Sequence, residues 1–151
     1  MSSWKNMPES TDGYHGIVYK IYNNHPDSAK EYYIGCKKLL KRIKRKPLKG
    51  KKRARISFVD NNVDEYWGSS EELKRDIEKY GLDFFSKEVI HMCETQWEMK
   101  FLEMFEQMKH NVLFDVASYN GIINVRINSV PQSLQEKYKN FNFNEYPARK
   151  D

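Results

Sequence analysis

Between Lys37 and Arg55 the sequence contains no acidic residue, while 12 of the chain's 26 lysines and arginines stand there. The other 14 bases face 21 acids, so the net charge of +5 is the product of one local excess. A local excess of this kind suits a surface that binds a polyanion. Cysteine is scarce too: Cys36 and Cys93 are the only two, with no Cys-x-x-Cys spacing. That excludes a disulfide framework. His15, His25, His91 and His110 make no ligand cluster with them, which argues against a structural zinc site needing four ligands. Long apolar runs and a signal-peptide pattern are missing, so the expectation is a soluble, cytoplasmic protein with no membrane partner. No internal repeat is present.

What is there is enough for one modest core, with 39% hydrophobic and 31% charged residues in 151. Residues 1–12 read as a flexible leader, 13–128 as one domain with a basic insert at about 44–59, and 129–151 as a polar tail. Tyr14 to Tyr22 alternates, with Ile17, Tyr19 and Ile21 on one face, and predicts a half-buried strand. After the turn-forming "NNHPDSAK", Glu31 to Gly35 predicts the second strand of a hairpin. "CKKLLKRIKRK" carries Leu39, Leu40 and Ile43 at helical spacing and predicts a basic helix stopped by Pro47. A basic loop follows, with a short strand at Ile56 to Val59.

Ser69 with Glu72 reads as a capping box, Leu73, Ile77 and Tyr80 as the helix stripe, and Gly81 as its end. Phe84 to Met92 has strand character. Thr95 to His110 predicts a helix with the stripe Trp97, Phe101, Met104, Phe105 and Met108, and Ile122 to Ile127 predicts a last strand. The expected fold is α+β: a small antiparallel or mixed sheet, led by a β-hairpin and flanked by helices.

"IVYKI", then "YYIG", a basic helix and a later helix with a glutamate together resemble the GIY-YIG nuclease domain. "YWGSSEELKRDIEKYGLDFFSKEVI", "FLEMFEQ" and "YNGIINVRI" are similar to free-standing, homing-type endonucleases of bacteriophages, over about residues 16–128. The resemblance implies a metal-dependent DNA endonuclease, working in the host cytoplasm if phage-encoded, as a monomer or weak dimer. It implies site roles for Tyr19, Tyr33, Glu103 and Asn120, with Glu103 as ligand of one Mg²⁺ or Mn²⁺ ion. The family's arginine falls on Arg42, with Arg45 as competitor. Where some members carry a histidine before the two serines, this chain has Gly68.

Phosphodiester hydrolysis needs an activated water, charge on the phosphate and help for the leaving oxygen. In the family's one-metal scheme Tyr19 or Tyr33 would assist the water, Arg42 would contact the phosphate and Glu103 would hold the ion. A tyrosine at its ordinary pKa of about 10 is a weak base near neutrality, and Lys37 and Arg42 are the cations expected to lower it. Lys37, Lys38, Lys41, Arg45, Lys51, Lys52, Arg53 and Arg55 are the expected nucleic-acid contacts, with modest sequence specificity. The alternative is a catalytically decayed member that binds nucleic acid without cutting. A basic protein docking on an acidic partner is a third class, which leaves the tyrosines and Glu103 unexplained.

Overall fold

The computed structural model describes residues 3–142. Its elements run β1 (Gly16–Asn23), β2 (Tyr32–Lys38), β3 (Leu40–Arg45), β4 (Arg55–Asp60), α1 (Glu71–Tyr80), β5 (Phe85–Cys93), α2 (Gln96–Lys109) and α3 (Gln135–Tyr138). The fold is α+β. β1 is the middle of an antiparallel three-stranded sheet ordered β2-β1-β5, and β3 and β4 pair separately as a two-stranded ribbon. The β1–β2 register sets Tyr19 opposite Gly35 and Ile21 opposite Tyr33.

β1 is covered on both faces. Ile17, Tyr19 and Ile21 pack with Trp4, Leu73, Phe85 and Val89 on the α1 side. Val18 packs with Tyr32, Ile34, Met99 and Leu102 on the α2 side. The strand is therefore central, where alternation alone predicted a half-buried one. α1 starts at Ser70, whose side chain accepts from Leu73 N at 3.2 Å; the cap is one residue later than the capping-box reading. Gly81 ends it as expected.

Three further expectations are corrected. Residues 36–46 form no helix: β2 runs on to Lys38, and Leu40–Arg45 pairs antiparallel with Arg55–Asp60. Ile122–Ile127 forms no strand, because both edges of the sheet are occupied. Lys5 bridges β5 by donating N–H to Lys87 O and accepting from Val89 N, while Ala117 O and Tyr119 N pair with the outer edge of β2. The leader is likewise no loose end: Trp4 is buried, and its Nε1 donates to Val63 O at 2.8 Å.

On α2 only Phe105 of the expected stripe is fully buried; Glu98, Met99, Leu102, Glu106 and Gln107 share its buried side. Trp97 and Phe101 instead face the tail, stacking on each other and meeting Tyr138 edge-on. Lys137 Nζ and Tyr138 Oη both donate to Glu98 Oε2 at 2.6 Å. The tail thus packs on α2 up to Phe141, and its remaining residues lie outside those described.

Candidate active site and basic ribbon

α2 packs on the sheet so that Lys100, Glu103 and Gln107, spaced for one helix face, lie along β2 beside Ile34 and Cys36. With Tyr33, Ser69 and Asn120 they line an open cleft, closed on its far side by the chain from Tyr119 to Asn124. Glu103 is half-buried there and, among the described residues, is the one carboxylate lining the cleft; Lys100 is the one cation among them.

Tyr33 reaches the cleft half-buried, with its hydroxyl hydrogen-bonded to Ser69 Oγ at 3.0 Å. Burial raises its pKa above the usual tyrosine value; Ser69 opposes that, while Tyr66 and Glu103 add to it. The expected lowering by Lys37 and Arg42 is absent. Lys37 Nζ instead lies 4.1 Å from the centre of the Tyr66 ring. Tyr19 stands behind Tyr33, with ring centres 6.1 Å apart, and is only 1% exposed. Burial, then the neighbouring Tyr33 and Tyr66, pushes Tyr19 well above the ordinary range.

Gly35 makes this pairing of rings possible. A Cβ there would lie 2.5 Å from Tyr19 Oη and 2.9 Å from Tyr33 Cε1. Gly68 is equally constrained: its φ of +84° favours glycine, and a Cβ would meet Leu73 at 3.2 Å and Tyr33 at 3.4 Å. A side chain at this position would be strained by that backbone conformation.

Asn120 is buried and spans the Ile34 peptide, its Oδ1 accepting from Ile34 N at 2.9 Å and its Nδ2 donating to Ile34 O at 2.8 Å. Gln107 Nε2 donates to the same carbonyl at 3.0 Å. Side chains thus do at this edge what a neighbouring strand would do. Cys36 lies beside Glu103 and Lys100 and is pushed up to about 12, by burial first and then by the Glu103 charge, so it stays a thiol at neutral pH. Lys100 Nζ sits 3.7 Å from its sulfur.

Among the described residues no group of three or more His, Cys, Asp or Glu could hold a metal ion, and Glu103 is the carboxylate among those lining the cleft. Gln107 Oε1, one turn beyond Glu103, is buried with no hydrogen-bond partner. One carboxylate beside open space fits a hard cation such as Mg²⁺ or Mn²⁺, which retains waters and takes ligands from phosphate.

Arg42 and Arg45 lie on β3 and are not among the residues lining the cleft. The helix they were expected to occupy is a strand. Lys41 also lies on β3 and Arg55 on β4, Lys51, Lys52 and Arg53 fall in the loop between, and Lys37 and Lys38 end β2. Thus Tyr33, Glu103 and Asn120 come together, Tyr19 backs them from the core, and the basic residues other than Lys37 and Lys38 gather on a separate ribbon. Sequence reading missed Lys100, Gln107 and Ser69 as cleft residues. The i, i+3, i+7 spacing of Lys100, Glu103 and Gln107 carried the signal for two of them.

The family model described as "Putative endonuclease segE, GIY-YIG domain" matches residues 2–123. No curated protein and no solved structure matches the chain.

Proposed function

From the premise that this chain belongs to the GIY-YIG endonuclease domain family of the segE type, we propose that it is a metal-dependent DNA endonuclease of the phage homing type. The observation that carries this reading is the cleft between β2 and α2, where the Tyr33 phenol, the Lys100 cation and the Glu103 carboxylate line the same open space. No helix among the described residues is long and apolar enough to cross a membrane. A host-cytoplasmic setting accords with that.

A Mg²⁺ or Mn²⁺ ion held by Glu103 would supply positive charge for the scissile phosphate and acidify water. Tyr33 Oη takes the proton from the attacking water. Its raised pKa makes the phenolate scarce near neutrality and strongly basic once formed. The Lys100 ammonium faces the phosphate and offsets charge that grows in the transition state, a task the resemblance assigned to Arg42. Tyr19 touches no substrate and acts as a positioning residue behind Tyr33. Asn120 acts the same way, by fixing the peptide next to Tyr33. The basic ribbon holds the DNA backbone; if about six of its cations neutralise phosphates, log K falls with log salt at a slope of about −5.

The test is plasmid nicking with and without Mg²⁺, comparing the intact protein with Glu103→Ala over a salt series. Metal-dependent nicking that vanishes in the variant supports the proposal; equal activity in both overturns the role of Glu103. A second reading, a decayed member that binds without cutting, is favoured by Arg42 lying outside the cleft and by glycine at position 68. Steep salt-dependent binding by both proteins with no nicking would establish it.

A further inference from the structure

The β3–β4 ribbon has two faces of different character. Its register runs from Leu40 opposite Asp60 to Arg45 opposite Arg55, with side chains alternating between the faces. On one face Ile43, Ser57 and Val59 are half-covered, and Arg45 Nε donates to Ser57 Oγ at 2.9 Å. On the other, Arg42 stands opposite Phe58 and Lys44 opposite Ile56, and all four are exposed. Phe58 is 63% and Ile56 50% exposed. At the ribbon's root, Asn61 N donates to Leu39 O and Asn61 Nδ2 to Lys38 O.

A surface that only grips phosphates has no use for exposed phenyl and branched aliphatic groups between its cations. Base edges in the major groove do: thymine offers a methyl group, and guanine offers two acceptors to a cation. The dimensions agree. Two strands about 4.8 Å apart with side chains on both sides fit a groove about 12 Å wide and not one about 6 Å wide. The ribbon also carries most of the acid-free stretch, whose lysines and arginines stand opposite the apolar pair on β3 and fill the hairpin loop beyond it, while Leu40 and Asp60 end that face at the root.

We propose that this ribbon enters the major groove and reads base edges with Lys44, Ile56 and Phe58, aided by Arg42, while its loop cations hold the flanking phosphates. This rests on the DNA reading given above and goes beyond it, because it gives the chain a sequence preference of its own.

The experiment uses the full chain with EDTA present, so that binding is read without cutting. Binding is selected from a duplex pool of randomised sequence, and the selected sites are probed by guanine N7 methylation, which blocks the major groove. Two variants are compared, Lys44→Gln/Phe58→Ser on the exposed face and Lys51→Gln/Lys52→Gln in the loop, each checked for an unchanged circular dichroism spectrum. The expected result is an enriched site whose binding N7 methylation abolishes. The face variant should lose about tenfold or more in preference for that site over random DNA. The loop variant should bind all sequences more weakly, with a salt slope shallower by about 2 and the preference intact.

Binding with no preference and no methylation effect overturns the ribbon proposal and leaves the DNA reading standing. So does a preference that the face variant retains, or binding that only a minor-groove drug competes away. Absence of any DNA binding overturns both, and capture of an acidic protein by the same face would then name the occupant.

Discussion

Asn120 hydrogen-bonds both polar groups of Ile34, N–H and C=O, from a loop 86 residues later in the chain. That bond pair fixes the edge of β2 beside Tyr33. Asn120→Ala removes the acceptor from a buried N–H and is expected to cost about 1–3 kcal/mol. Gln107 still serves the Ile34 carbonyl, which keeps the loss from being larger. Urea unfolding measures it; an unchanged midpoint would show that water replaces the asparagine without penalty.

Glu103 and Lys100 face the cleft with little core packing, so their replacement should spare the fold. Glu103→Gln is expected to lower nicking about 10²–10³-fold, and Lys100→Met about a hundredfold, with DNA affinity nearly unchanged. Single-turnover nicking alongside filter binding separates the two quantities. A Lys100→Met protein with full activity would return the phosphate contact to Arg42.

The pH profile follows from Tyr33. Since burial raises its pKa above the ordinary value of about 10, the phenolate fraction grows about tenfold per pH unit through the neutral range. The nicking rate should therefore climb with a log slope of about one from pH 6 to 9 without a plateau, and Tyr33→Phe should flatten it. A plateau near pH 7 in the intact protein would remove Tyr33 as the base.

Glu98 offers a stability test. Burial favours its protonated form, but hydrogen bonds from Lys137 and Tyr138 prevail and hold the carboxyl below its ordinary value. A depressed folded-state pKa contributes stability above the unfolded value of about 4.3, and that contribution is lost as pH falls through the folded value. Tyr138→Phe should thus cost about 1.5–3 kcal/mol at pH 7 and distinctly less in acid, as read by thermal unfolding across pH.

Where local pattern and tertiary packing agreed, the sequence was readable: Ile17, Tyr19 and Ile21 in β1, and Leu73, Ile77 and Gly81 in α1. Leu39, Leu40 and Ile43 fit a helical stripe, yet their segment pairs with Arg55–Asp60, a partner that no local window contains. The apolar stripe of α2 was misjudged because Glu98 and Glu106 are buried with partners supplied from elsewhere, Tyr138 for one and His91 for the other. The order of the motifs was enough to bring Tyr33, Glu103 and Asn120 into one cleft. It was not enough for Arg42, whose placement depended on the helix that became a strand, nor for Lys100, which a helix read only for its apolar side leaves as a surface charge.

The clash that a side chain at Gly35 would meet with Tyr19 makes two positions sixteen apart in sequence a single steric decision. Gly35→Ala should be ruinous in this chain, and tolerable only once Tyr19 has become a smaller residue such as valine and the Tyr33 ring, 2.9 Å from the same Cβ, has given way as well. The reverse order of change passes through the crowded state. Mutational routes through this domain are therefore direction-dependent: both tyrosine rings must make room before the glycine can grow, and the two halves of the motif are linked by epistasis before any chemistry is considered.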